Sequence, residues 1–318
     1  MALYASRCEY FVKVTVTFFH RYNPRLMNKT LVGILCGLGA ASIWGGMYVV
    51  SKVVLDIIPP FSLVSLRLLL GALTLAIVLI IRRIPTITRR QFWQVMGVGF
   101  VGYGISLSLQ FLGTKLSTAA NGSLVTSATP AFVLIFAWVL LKEKITPVSL
   151  IALLLATLGV VAVIDPRSAQ LNPDLFLGNL LLLGAALTWA LYSVLVRKAT
   201  QDLEVLPFSL IAFLGGLPVS LPASAWELKT IGVGEISLGV MGGVLFLGII
   251  STALAMVLWN NALTLVDANV ASLTFFAQPV VGTLLGWLFL GEKITPLFLL
   301  GGLLIGVGLV ISSSSHEV

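Results

Sequence analysis

The sequence predicts an all-α polytopic membrane protein of ten transmembrane helices, arranged as two inverted five-helix repeats. Three observations carry this expectation. Of the residues, 58% are hydrophobic and 10% charged, with a mean hydropathy of +1.07; a soluble core cannot cover that much apolar surface, so lipid is the solvent. The chain offers ten mainly apolar stretches of about 20 residues, the length that crosses a bilayer, near 31–51, 60–81, 92–112, 119–141, 148–164, 178–197, 206–223, 238–260, 268–290 and 297–312. Residues 116–165 then recur 149 positions later without a gap, so that Leu116, Ser123, Pro130, Glu143, Pro147 and Gly159 return as Leu265, Ser272, Pro279, Glu292, Pro296 and Gly308. At an offset of 145, Gly33, Gly39, Ala40, Ala41, Trp44 and Lys52 line up with Gly178, Gly184, Ala185, Ala186, Trp189 and Arg197. Internal repeats in membrane segments are the usual plan of secondary transporters.

Taken in order, residues 1–30 form a cytoplasmic N-terminal segment carrying Arg7, Lys13, Arg21 and Arg25. Its apolar run, Phe11 to Phe19, is too short to span and lacks a small-residue cleavage site. Either it lies on the inner membrane surface or translation starts at Met27; the second is preferred, because Met27-Asn28-Lys29 leads straight into an apolar helix. The first repeat then occupies 31–165, the second 178–312, and a cytoplasmic tail 313–318. The seventh stretch is the weakest, interrupted by Gly215-Gly216, Pro218 and Pro222.

The net charge of +7 does not form the stripe that nucleic acid requires; the basic residues sit between apolar segments and act as a topology signal. With the N-terminus inside, thirteen Lys and Arg fall on the cytoplasmic side and five outside (Lys52, Lys115, Arg167, Lys229 and Lys293), and both termini are cytoplasmic. Five helices per repeat is an odd number, so the second copy enters from the opposite face. Cys8 and Cys36 offer no disulfide framework.

Trp44-Gly45 in the first helix, Pro59-Pro60 with Arg67 in the second, and the twice-occurring proline followed by Leu-x-Glu-Lys-Ile-Thr-Pro resemble the EamA-type family of the drug/metabolite transporter superfamily over roughly residues 27–312. The resemblance implies a central cavity lined mainly by the third, fourth, eighth and ninth helices, the fifth and tenth being peripheral. It also implies alternating-access movement of small metabolites, often outward.

Within this frame the residues name their own candidates. Arg67 is the one charged residue expected inside a helix, about 10 Å below Pro60 at 1.5 Å per residue; it either snorkels outward to carbonyls or meets a substrate carboxylate. Ser123, Thr126, Ser127 and Pro130 share one helical face at i, i+3, i+4 and i+7, where the second copy has Ser272, Phe275, Phe276 and Pro279. One repeat offers hydroxyls, the other rings. A second face carries Asn121, Val125 and Thr129 against Val270, Thr274 and Gln278. Gln278 at mid-membrane needs a partner, either another helix or a solute. Pro130 and Pro279 are hinge candidates, fixed kinks being the alternative. Trp44 and Trp189, with Tyr48, Tyr103, Gln110 and Tyr192, lie too deep for an interfacial belt and suggest a ring-lined pocket, against plain packing on glycine. Trp259, Asn260 and Asn261, near a predicted helix end, read as anchor and cap. Glu143 and Glu292 read as carboxylates serving free amides at the start of the next helix. The G-x-G-x-x-G at Gly97 to Gly102 has no strand before it and reads as helix packing.

The chain has no nucleotide-binding loop of the G-x4-G-K-[ST] type, no acidic or histidine side chain at mid-membrane, and no nucleophile–base pair. It therefore reads as no enzyme and as needing no cofactor and no metal. Gradient-driven movement of a small, partly apolar neutral or zwitterionic solute, amino acids above all, is the simplest function, with the bilayer and that solute as partners and no nucleic acid. An organic-phosphate or sugar-conjugate carrier would collect several cations in the cavity; a non-transporting scaffold or sensor is the rival from another class. The sequence carries no signal of oligomeric state.

Overall fold

The computed structural model describes residues 29–82, 87–117, 122, 125–164, 175–201, 203–290 and 296–314. The N-terminal segment with Met27, and Asn121, Ser123 and Glu292, lie outside the described residues. Within them all regular structure is helical: α1 (Lys29–Leu55), α2 (Pro60–Arg82), α3 (Arg89–Leu116), α4 (Thr129–Leu141), α5 (Pro147–Ile164), α6 (Phe176–Ala199), α7 (Val205–Thr230), α8 (Leu238–Leu265), α9 (268–290) and α10 (Pro296–Ser314). Of these, α1, α2, α3, α6, α7 and α8 are long and apolar enough to cross a membrane, while α4, α5 and α10 contain shorter apolar stretches. The exposed side chains along α2 and α10 are apolar (Leu69, Leu73, Ile77, Leu299, Leu303, Val310), and Arg67, Glu227, Asn260 and Gln278 are buried. Lipid faces outward and polarity faces inward.

Local sequence sets several helix ends. Thr88 accepts from the Gln91 amide while the Gln91 side chain accepts from the Thr88 N–H, a capping box that starts α3. Ser237 caps α8 through the amide of Val240. Lys142 adopts left-handed backbone at φ 62° and closes α4.

Three features differ from expectation. The helix α7 runs unbroken through Pro218 and Pro222 to Thr230, since a helix buried among others can lose single hydrogen bonds where no water competes for its backbone. As a result Glu227 lies inside a helix and is buried. Its carboxylate accepts from the amides of Phe61 (3.1 Å) and Ser62 (2.8 Å) and from the Ser62 hydroxyl, serving the free N–H groups that start α2. Lys52 likewise sits within α1, in its last turn. The third feature has no counterpart in the hydropathy pattern: α3 and α8 widen into π-helical stretches at Phe100–Ser106 and Phe246–Leu254.

These two helices have first and last residues that are each 149 positions apart. Packing follows the same exchange. α1 lies on α8 and α9, α6 on α3 and α4, α2 on α7, and α5 on α10; swapping α1–α5 for α6–α10 leaves that set of neighbours unchanged. Close approach explains two of the clustered glycines in α3, because a Cβ at Gly99 would collide with the Ala212 carbonyl oxygen and one at Gly102 with the Tyr192 ring. Gly97 faces open space. The largest buried cluster gathers where α1, α2, α3, α6, α7, α8 and α9 meet.

Candidate functional site

Near the middle of the helices, α1, α3, α6, α8 and α9 and the segment entering α4 surround a chamber. Its walls are Trp44, Met47, Ser106, Leu107, Gln110, Thr126, Thr129, Ala185, Ala186, Trp189, Met256, Phe275 and Gln278. About 390 Å³ of space, part of it open to the outside, lies between these side chains, with room for a water or two.

Rings dominate one wall. Trp44 meets Trp189 edge-on with centroids 5.7 Å apart, and Trp259 and Phe275 at 5.7 and 5.5 Å. Trp189 leans on Tyr192 at 4.7 Å. The two tryptophans expected as a pair are thus brought together, but their polar ends differ. Trp44 donates through Nε1 to the Ser251 carbonyl at 3.0 Å. The Nε1 of Trp189 and the hydroxyl of Thr129, both buried at the chamber wall, have no hydrogen-bond partner among the described residues. An unpaired buried donor costs on the order of 1–3 kcal/mol.

Arg67 is fully buried, so it does not snorkel. It stands behind Met47, donating from Nε to Thr252 Oγ1 at 2.8 Å, from one terminal nitrogen to Ser251 Oγ at 3.4 Å and from the other to Met47 Sδ at 3.6 Å, with Phe111 beneath its guanidinium at 4.8 Å. Among the described residues no carboxylate contacts it. A thioether is a weak acceptor, so this cation is hydrogen-bonded but not neutralised.

Polar chains flank the chamber on two sides. Toward the start of α4, Gln110 donates to the Tyr48 hydroxyl at 2.8 Å, Tyr48 bonds Thr126 at 2.9 Å, and Thr126 bonds the Gly122 carbonyl. On the other side Tyr103 bonds Tyr192, Tyr192 donates to Asn260 at 3.0 Å, and Asn260 donates to Ser209 at 2.9 Å. Four helices are stitched there by fully buried groups.

Of the predicted residues, then, Trp44, Gln110, Thr126, Trp189, Phe275 and Gln278 line the chamber, Tyr48, Tyr103 and Tyr192 belong to the polar chains that flank it, and Arg67 stands one side chain behind the wall. Ser123 lies outside the described residues. Two predicted residues are not among those walls. Ser127 falls in a turn with Ala128 before α4, and the chamber takes Thr129 from the other predicted face, because this break rotates the residues after it. Phe276 is the last residue of a 3-10 turn at Thr274–Phe276 and packs, apart from Phe275, into a small core with Ala152, Ala156 and Ile305 of α5 and α10. Pro130 sits in the first turn of α4 and Pro279 near the start of the second α-helical part of α9, Ala277–Leu290, each just after an interruption of the helix; a ring without an N–H is tolerated at such a start.

Two further expectations fail. Trp259 and Asn260 are neither anchor nor cap: α8 continues to Leu265, and both are fully buried in the site. Glu143 serves free amides, but those of α9 (Ala268 at 3.1 Å, Asn269 at 3.4 Å) and not of α5, and it pairs with Arg197 at 3.1 Å. Burial pushes its carboxyl above the ordinary range, a rise that the Ala268 amide opposes. Sequence reasoning also missed Met47, Ser106 and Met256, for which pattern gives no signal in helices apolar on every side.

The same chain matches the family model described as the EamA-like transporter family twice, over residues 31–164 and 176–314. It is 26% identical over 294 residues to the uncharacterized transporter YoaV of Bacillus subtilis, covering 90% of this chain and 97% of that one. It is 27% identical over 272 residues to the uncharacterized transporter YetK of the same organism, covering 84% and 82%, and 26% identical over 269 residues to an uncharacterized transporter of Archaeoglobus fulgidus, covering 84% and 94%. A solved structure superposes with a TM-score of 0.74 over 88% of this chain and 98% of that one at 20% identity, a likeness of fold. With two consecutive family matches spanning its helices, the chain belongs to the EamA-like transporter family and is an integral membrane protein.

Proposed function

We propose that this protein is a secondary transporter that moves small amphipathic metabolites, amino acids and their relatives among them, out across the cell membrane by alternating access. In this reading, ten helices form two inverted repeats, 31–165 and 178–312, with both termini cytoplasmic. The exchange-symmetric packing and the thirteen-to-five distribution of Lys and Arg support that arrangement.

One observation carries the choice of solute. The chamber joins a ring wall to polar atoms that have no hydrogen-bond partner among the described residues, Trp189 Nε1 and the Thr129 hydroxyl, beside a guanidinium that no carboxylate among those residues contacts. The apolar part of the solute lies against Trp44, Trp189 and Phe275. Its carboxylate displaces the Met47 sulfur from Arg67, exchanging a weak acceptor for a charge-assisted bond. A single cation is too few for a phosphorylated solute. The chamber is too small for any such cargo as it stands, so loading parts the rings; the helix interruptions before Pro130 and Pro279 supply the flexing points.

Counterflow in proteoliposomes tests this, with a panel of amino acids, organic cations and sugar phosphates at two pH values. The expected result is amino-acid exchange independent of pH. Exchange of cations or sugar phosphates alone, flux that strictly requires a proton gradient, or no flux of any solute overturns it.

A further inference from the structure

Lys52 and Arg197 occupy corresponding positions at the 145-residue offset, and each caps the C-terminus of a corresponding helix. Lys52 donates through Nζ to the carbonyls of Thr114 (3.4 Å) and Ser117 (3.1 Å) where α3 ends; Arg197 donates to those of Leu263 (2.9 Å) and Val266 where α8 ends. Thr114 and Ser117 return as Leu263 and Val266 at the 149-residue offset. The same joint between a cation and helix-end carbonyls is therefore built twice. The two copies lie at opposite ends of the bundle, because the start of α1, far from Lys52, packs through Gly33 against Val266.

The joints differ in strength. Arg197 also reaches Glu143 through Nε at 3.1 Å and Asp267 through a terminal nitrogen, and Glu143 accepts from the first amides of α9. One guanidinium thus ties the ends of α4, α6, α8 and α9, all four of which contribute to or border the chamber. Its side chain is 22% exposed and that of Glu143 12%, so solvent screens the pair only in part. Among the described residues Lys52 joins α1 to α3 alone. A fork-shaped guanidinium can hold two carboxylates and two carbonyls at once, which an ammonium cannot match.

We propose that the Arg197–Glu143–Asp267 cluster is the latch that holds its end of the chamber shut, that the Lys52 joint is the weaker counterpart at the other end, and that the imbalance decides which side the empty carrier faces. The charge bias puts the latch at the cytoplasmic face. This rests on the alternating-access reading above and adds its regulation. Opening toward the latch side separates the helix ends that Arg197 gathers and returns the α9 amides and the Glu143 carboxylate to water, which can solvate both. The latch is therefore reversible.

The test needs no solute. In a chain freed of cysteine by Cys8→Ala and Cys36→Ala, Ala190→Cys is the reporter, because Ala190 is fully buried on the face of α6 that runs from Ala186 in the chamber wall to Arg197. A membrane-impermeant maleimide applied from the latch side labels the parent slowly. Glu143→Gln and Arg197→Gln each raise that labelling about tenfold, as expected when a minor state becomes the main one. Arg197→Lys, which keeps the carbonyl contacts and loses the fork, raises it less, and Lys52→Gln lowers it. Labelling at the parental rate in monodisperse Glu143→Gln or Arg197→Gln protein overturns the latch. If neither folds, Arg197→Lys decides, and parental labelling there overturns it as well. Labelling that rises as stated, with no solute moved in counterflow, leaves the latch standing and sinks the proposed transport.

Discussion

Two corresponding seats in the molecule, each walled by residues of both halves, are built around different contents. In one, Met47 and Phe111 of the first half and Ser251 and Thr252 of the second enclose the guanidinium of Arg67. At the repeat offsets these become Tyr192, Asn260, Gly102 and Tyr103, and Arg67 becomes Ala212. There Tyr103 and Tyr192 bond each other directly and Asn260 accepts from Tyr192. One seat holds a cation and the other is filled by two phenols. The tryptophans follow suit: Trp44 donates to Ser251, whereas the backbone around Gly102 that corresponds to Ser251 is covered by the Tyr192 ring, and Trp189 Nε1 has no partner among the described residues. Corresponding positions keep their packing, and in the proposed transport reading solute chemistry belongs to the places where they differ.

The largest effect tests the seat itself. Arg67→Gln is expected to lower counterflow at least about 30-fold, the usual consequence of truncating one member of a buried charge pair, with no loss of thermal stability because an uncompensated buried charge goes with it. A destabilised but fully active variant makes Arg67 a structural residue. Next, Trp189→Phe weakens transport about fivefold and leaves the melting temperature unchanged, while Trp44→Phe costs about 1–2 kcal/mol of stability by orphaning a buried carbonyl; identical behaviour of the two erases the asymmetry. Thr129→Val lowers transport about threefold and stabilises the resting protein, since an unpaired hydroxyl is removed at constant shape. The smallest effect on transport belongs to Phe276→Leu, which costs about 1 kcal/mol of packing and leaves flux at the parental level, whereas Phe275→Leu does not.

Hydropathy length made the helices legible, and the gapless repeat tied them into corresponding pairs. Boundaries slipped where polar residues enter a helix for reasons outside it: Glu227 extends α7 because α2 presents amides to it, and Asn260 extends α8 because Tyr192 and Ser209 receive it. Among site residues, deep aromatics and amides in an oily span declared themselves. Met47 and Met256 did not, since a helix apolar on every side has no moment to say which side faces a neighbour. The turn at Ser127–Ala128 and the 3-10 turn at Thr274–Phe276 reset helical phase in the middle of a predicted face, which is why Thr129 replaced Ser127 and Phe276 turned away. The π-helical stretches carry no residue pattern of their own.

In the proposed cycle, a solute leaving past the Tyr103–Tyr192–Asn260–Ser209 chain parts hydrogen bonds that join four helices. Each departure then costs the protein a set of internal bonds that re-form only behind the cargo, which gives the carrier a built-in tendency to reseal.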